Sequence, residues 1–284
     1  MISLEGVSRS FGTPDGGSYC ALDGISFSIA AGTFCAIVGP SGCGKSTLLN
    51  IVAGLIPPSS GALRIDGAPL TGVNRGATYM FQQDALLPWK DVRDNVALGL
   101  TLAGVARADA HRRADQWLAR IGLTAFARHF PAQLSGGMRK RAAMAQNWII
   151  DRDILLMDEP FSALDIHTRQ QMEEELLALW ESPAAEDGAD RAPMAPAGTS
   201  GATRGRKTIV FVTHDLEEAL ALADRVIVLS AGPASRVVAD HAVTLPRPRD
   251  LPELRTQQAF VDLYRAVWGD LRAEVVRSQR GARA

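Results

Sequence analysis

Five short apolar runs, 33–38, 78–81, 154–157, 208–212 and 226–229, are bounded by turn-forming or polar residues and have the length and composition of buried strands. Between most of them the spacing of apolar residues changes to that of helices. Residues 46–53 follow a glycine-rich turn, 109–121 carry Trp117, Leu118 and Ile121 on one face, and 136–150 and 167–181 are long and periodic. Strands that alternate with helices predict an α/β architecture with a largely parallel sheet covered on both faces. Two stretches depart from this pattern. Residues 183–206 are rich in Ala, Gly and Pro, contain no aromatic and show no period, which predicts a disordered surface insertion. From Pro246 the chain becomes proline- and arginine-rich, and then Phe260, Leu263, Tyr264, Val267, Trp268 and Leu271 recur at helical spacing. A C-terminal tail, 246–284, is therefore expected to carry a last amphipathic helix.

Composition narrows the classes without choosing among them. Of 284 residues, 46% are hydrophobic and 21% charged, enough for a sizeable core. The net charge of −1 offers no general attraction to nucleic acid or to an anionic bilayer, so no nucleic-acid partner is expected. No apolar run approaches the roughly 20 residues needed to cross a membrane. Residues 1–12 lack the charged-then-apolar pattern of a secretory leader, and the protein is expected to remain inside the cell. The three cysteines, Cys20, Cys35 and Cys43, are too few and wrongly spaced for a zinc site, and their odd number argues against a disulfide framework.

Three predicted strands end in chemically loaded residues: Gly39 follows one, Asp158 and Glu159 another, His214 a third. Ligands of open α/β sheets bind beyond the carboxyl ends of strands, so these motifs should converge. The run Gly39-Pro40-Ser41-Gly42-Cys43-Gly44-Lys45-Ser46-Thr47 matches the phosphate-binding P-loop, or Walker A, pattern without a mismatch. Its glycines let the loop curl so that backbone N–H groups face phosphate oxygens, and the helix that follows presents its positive end to the same anion. Lys45 can bridge the outer phosphates of ATP, and the Ser46 hydroxyl can ligate Mg²⁺. Cys43, beside a helix start and Lys45, is expected to be a reactive thiol shielded by nucleotide. Ile154-Leu155-Leu156-Met157-Asp158-Glu159 reads as a Walker B strand, which delivers Asp158 to the magnesium shell and Glu159 to a position where it can deprotonate an attacking water.

Between these motifs lies Leu134-Ser135-Gly136-Gly137-Met138, which resembles the signature of ABC (ATP-binding cassette) ATPases, with Met138 where the family usually has Gln. The resemblance covers about residues 2–245 and its motifs fall in order. Gln82, ending a strand, looks like the Q-loop glutamine that senses metal and water. Ser162-Ala163-Leu164-Asp165 looks like the D-loop, and His214 like the switch histidine. Phe11 stands where the adenine-stacking aromatic is expected, with Tyr19 as its competitor. Ala145-Gln146-Asn147 departs from the usual Ala-Arg-Ala, while Arg141 is retained. A second tier, Asp84-Ala85-Leu86-Leu87-Pro88-Trp89 and Leu245-Pro246-Arg247-Pro248-Arg249-Asp250, looks like the nitrate/sulfonate/taurine branch of importers.

The resemblance implies a P-loop NTPase fold with a mainly parallel sheet core (about 1–87 and 151–245) and an inserted helical subdomain (about 88–150). It implies ATP and Mg²⁺ as cofactors, with Ser46, Gln82 and Asp158 about the metal and Asp165 near the nucleotide. Because the chain has one copy of each motif, it implies a homodimer in which Ser135, Gly136 and Gly137 of one copy complete the other's site. The expected partners are integral membrane permease subunits and, indirectly, a periplasmic or extracellular solute-binding protein. The expected place is the cytoplasmic face of a bacterial inner membrane. A soluble, non-transport ABC ATPase and a non-hydrolysing regulatory subunit remain the alternatives. Residues 84–89 are expected to dock the membrane subunits, unless the leucines and Trp89 are core.

Overall fold

A computed structural model describes residues 1–162, 164–181 and 206–281. Apart from Arg206, the expected insertion lies outside the described residues, as does Ala163. The strands are β1 (Ile2–Gly12), β2 (Ser18–Ile29), β3 (Phe34–Val38), β4 (Ser60–Ile65), β5 (Ala68–Pro69), β6 (Ala77–Met80), β7 (Ile154–Asp158), β8 (Thr208–Val212), β9 (Arg225–Leu229) and β10 (Val237–Ala242). The helices are α1 (Lys45–Val52), α2 (Val92–Val96), α3 (Leu98–Leu102), α4 (Arg107–Arg120), α5 (Gly136–Trp148), α6 (Ile166–Glu181), α7 (Leu216–Leu222), α8 (Leu251–Leu254) and α9 (Gln258–Gly281).

The central sheet runs β10-β9-β3-β8-β7-β6 and is parallel except for β10, which pairs antiparallel with β9. Its strands β3, β7 and β8 are buried at every position, which explains why they read as unbroken apolar runs. Alternate residues of β3 serve two cores. Phe34, Ala36 and Val38 face a core built with α2–α7 and α9, while Cys35 and Ile37 face a second core built with α1, β1 and β2. The molecule is therefore layered, with helices on one side of the sheet and α1 plus a second sheet on the other.

That second sheet, antiparallel in the order β2-β1-β4-β5, has no counterpart in the strands expected from the sequence. Register shifts between Leu4 and Val7 and between Val7 and Arg9 break the period-two alternation that would have marked β1. The strand before Gln82 also ends earlier than expected: β6 stops at Met80, and Gln82 lies two residues into the loop. The tail is an integral layer. Phe260, Val267 and Leu271 are buried in the helical-side core, and α9 packs against α7, β9 and β10.

Candidate active site

Strand order gathers the chemistry. Because β3, β8, β7 and β6 are neighbours in parallel, Gly39, His214, Glu159 and Gln82 all follow carboxyl ends at one edge of the sheet. The loop from Gly39 enters α1 through Gly42 (φ +76°) and Gly44 (φ +88°), both left-handed conformations that favour glycine. A Cβ on Gly44 would come within 2.8 Å of Leu22 Cδ2, so the close approach to β2 also requires it. No side chain among the described residues caps the start of α1, which leaves its first amides free for an anion. The buried Lys45 ammonium donates to the carbonyls of Gly39 (2.9 Å) and Pro40 (3.0 Å), holding its charge inside the loop.

Cys43 does not meet its expectation. Its side chain is fully buried, in the core shared with β1 and β2, with Sγ against Gly39. Burial pushes the thiol up, and the nearby Lys45 opposes that only in part. The residue is a small core hydrophobe, and only its backbone is placed to serve the loop.

Two side-chain groups stand beyond the loop. In the first, the Ser46 hydroxyl donates to Asp158 Oδ1 (3.0 Å) and the Tyr79 hydroxyl to Asp158 Oδ2 (3.4 Å). The Asp158 carboxyl, buried at the end of β7, is pushed up by burial, while the Ser46 hydrogen bond pulls it down. In the second, Gln82 Nε2 donates to Glu159 Oε2 (3.0 Å), and His214 Nδ1 lies 3.5 Å from the same oxygen. Glu159 takes a left-handed backbone (φ +44°), rare for a residue with a side chain, and its N–H donates to Val212 O (2.9 Å). This turn swings its carboxylate away from the strand axis and toward Gln82 and His214. Strain of this sort persists only where the surroundings impose it.

The signature lies on a different element. Ser135 is the N-cap of α5 and accepts from Met138 N (3.3 Å). Gly137 abuts α6, since a Cβ there would lie 2.5 Å from Thr168 Cγ2. Thr168 in turn is held by Asp165, which accepts from its amide (3.0 Å) and its hydroxyl (2.7 Å), and these bonds hold the exposed carboxyl below the usual range. Gly136 lines an open cleft of about 650 Å³ together with Gln82, Asp84, Arg139, Lys140 and Ser162.

Sequence reading missed Lys140. Buried on α5, it donates to the Gln82 carbonyl (2.7 Å) and lies 3.5 Å from Asp84, which also accepts from Arg139 (3.3 Å). The signature helix thus grips the loop that carries Gln82. Its only sequence signal is a lysine on an otherwise apolar helical face. Phe11 and Tyr19 are directly opposed in the β1–β2 ladder. Phe11 is half-buried with the Arg9 guanidinium 4.6 Å over its ring, and Tyr19 is 41% exposed. In the 84–89 run the residues divide: Leu86 is buried with the helical-side core, whereas Trp89 is 71% exposed.

A family model described as ABC transporter matches residues 22–162. The chain is 44% identical over 269 residues to a taurine import ATP-binding protein of Rhizobium johnstonii, covering 93% of each chain. It is 38% identical over 252 residues to a nitrate import ATP-binding protein of Synechococcus elongatus, covering 88% of this chain and 84% of that one. A solved structure of a dimeric ATP-binding cassette in a post-hydrolysis state, bound to ADP and Pi, superposes with a TM-score of 0.68 at 30% identity, over 87% of this chain and 100% of that chain. With a P-loop, a Walker B strand and a signature helix placed as described, this chain belongs to the ABC transporter family of ATP-binding proteins, in the branch that includes the taurine and nitrate import proteins.

Proposed function

We propose that the chain is the ATP-hydrolysing subunit of an importer for a small solute, with a taurine- or nitrate-like anion as the cargo class, and that it works as a homodimer beneath separate permease subunits. The observation that carries the reading is the meeting of Gln82, Glu159 and His214 beside the Ser46–Asp158 pair at the mouth of the P-loop. Lys45, Ser46 and Thr47, with the backbone of Gly39–Gly44, hold the phosphates. Phe11 stacks on adenine, with Tyr19 opposite it as the second candidate.

The donor set fits magnesium. Ser46 and Asp158 present two hard oxygens 3.0 Å apart, and Gln82 is the third candidate ligand. Mg²⁺ commonly takes one or two protein oxygens and completes its shell with phosphate and water. When bound, it neutralises charge on the phosphates. Glu159 accepts the proton of the attacking water, Gln82 orients that carboxylate, and His214, which meets the same carboxylate oxygen, faces the γ-phosphate. Catalysis is positioning plus electrostatic stabilisation of the transferring phosphoryl group.

Ser135, Gly136 and Gly137, at a capped helix start, complete the partner copy's site across the dimer, near Asp165 of the D-loop. Among the described residues no helix is long and apolar enough to cross a membrane, and the exposed Trp89 supplies an apolar anchor for the permease. The placement at the cytoplasmic face of the membrane, with a solute-binding protein on the far side, follows from this reading. The test is phosphate release from MgATP by the purified chain, alone and with its membrane subunits, against Asp158→Asn. Loss of release in the variant supports the reading. Absence of release from the wild type in both settings overturns it in favour of a regulatory nucleotide-binding subunit.

A further inference from the structure

The P-loop is supported from behind by a turn that the reaction does not use. Residues 230–236 join β9 to β10 and lie against the loop: a Cβ on Gly232 would sit 3.2 Å from the Gly42 carbonyl oxygen. Gly39 meets the last residue of β9 in the same way, its added Cβ lying 3.1 Å from Leu229 O. One side of the turn is stitched to β2. Ala234 N donates to Cys20 O (2.7 Å), Ser235 N to Ala21 O (3.2 Å), and Arg236 Nε to Asp23 (3.0 Å). The Cys20–Leu22 segment is itself what Gly44 packs on. The other side of the turn is held from the tail. Glu274 of α9 accepts from the Ala231 amide (2.9 Å).

Glu274 is only 4% exposed, and a carboxylate so placed is costly unless it is bonded. Both of its oxygens are used, Oε2 by Ala231 and Oε1 by Arg277 at 2.5 Å. An apolar side chain would fill this position on α9 at no desolvation cost, so the charge-assisted bond to the amide is the distinctive property of the site. Phe260, Val267 and Leu271 anchor the rest of α9 to the core, so the carboxylate is presented from a rigid support.

We infer that Glu274 is a positioning residue for nucleotide binding: through Ala231 and Gly232, the C-terminal helix α9 holds the P-loop in its phosphate-binding curl. The inference rests on the reading of residues 39–47 as the nucleotide site. The loop has no side-chain cap at the start of α1, and beyond the Lys45 bonds to Gly39 and Pro40 it is held by packing on β2 and on this turn, so slack in the turn becomes slack in the amides that face the phosphates.

The experiment uses the full chain and compares Glu274→Leu, which removes the acceptor, with Glu274→Gln, which keeps an oxygen for Ala231. Arg265→Ala, on the exposed face of α9, is the control. MgATP affinity is measured by titration calorimetry, melting temperature is recorded without nucleotide, and hydrogen exchange is followed in the peptide covering 39–46 without nucleotide. Glu274→Leu is expected to weaken MgATP about three- to tenfold, with kcat at saturation within about twofold of wild type. Glu274→Gln and Arg265→Ala should bind within about twofold of wild type. The 39–46 amides should exchange faster in Glu274→Leu alone. Unchanged affinity and exchange in Glu274→Leu would overturn the inference, as would a Gln variant as impaired as the Leu variant. The exchange arm needs no nucleotide, so its result decides the inference even if the wild type fails to bind MgATP, an outcome that would count against the nucleotide reading itself.

Discussion

At the carboxyl ends of β3, β6, β7 and β8 the functional side chains bond to one another within one chain: Ser46 to Asp158, Gln82 to Glu159, Lys45 to its own loop. At the start of α5 the bonds are of another kind. Ser135 caps its own helix, and Gly137 packs on Thr168. The first region has the P-loop and the oxygens that fit a phosphate and a cation; the second, among the described residues, is a helix start bonded within itself and packed on α6. The two regions are joined by Lys140, which ties the signature helix to the Gln82 carbonyl. On the function proposed above, a second copy closes the site, and the buried Lys140 ammonium is the connection through which the Gln82 loop would report that closure to the signature helix. Each of the following experiments breaks one side of this division or the connection outward.

The largest effect is expected from Glu159→Gln. The substitution keeps size and polarity and removes the proton acceptor, so kcat should fall by about 10²–10⁴-fold while MgATP still binds. The ATP-bound dimer should accumulate, visible as a doubled mass in gel filtration. Turnover near wild type would show that the strained Glu159 is not the base. Adding Ser135→Arg to this variant tests the other half. If the signature acts across the dimer, the double variant should bind MgATP as one subunit and elute as a monomer. A dimer of unchanged stability would sink the trans arrangement.

The two regions also differ in how legible they were. The P-loop and Walker B strand are local patterns on strands buried on both faces, so the apolar runs and the motifs that end them could be read directly, and strand order then brought His214 and Gln82 together. The signature was legible as a motif, yet its grip on the Gln82 loop depends on Lys140 reaching across some 58 residues of sequence, which no local pattern encodes. The antiparallel sheet was hidden by bulges in β1. Cys43 was misjudged because a loop position suggests exposure, whereas packing beneath Gly39 buries it. The tail's helix was visible in its periodicity, but what Glu274 touches was not.

Trp89→Ala tests whether the run that follows Gln82 docks the permease subunits. The 71% exposure of Trp89 rules out the large cavity cost of a core aromatic, so stability of the isolated chain should change by no more than about 0.5 kcal/mol. Basal ATPase should be preserved. Co-purification with the permease subunits and solute uptake should each fall about tenfold, as for an interface anchor. Full assembly and uptake would remove Trp89 from the docking surface.

The smallest effect on function is expected behind His214, where a buried acid changes stability with pH and leaves turnover in place. Glu218, 4% exposed, has its carboxyl pushed up to about 7 from an ordinary 4.5, chiefly by burial. The Thr213 hydroxyl donates to it at 2.6 Å and opposes the shift, while Asp215 and Glu173 add to it and Arg169, 3.7 Å away, subtracts. The sign follows from which state holds the proton. Between 4.5 and about 7 the folded protein keeps a proton that the unfolded chain has lost, so stability falls as pH rises through that window and stays reduced above it. Glu218→Gln keeps an oxygen to accept from Thr213 and cannot ionise. It should therefore match wild type near pH 5 and exceed it at pH 8 by about 1–3 kcal/mol, measured by urea unfolding at both values. Thr213 and Asp215 flank His214, and Asp215 N donates to Thr213 Oγ1 (3.0 Å), so the substitution should leave the histidine's loop in place and kcat within about twofold. A stability difference that does not change with pH would show that Glu218 is ionised in the fold at neutral pH, with Arg169 offsetting the desolvation.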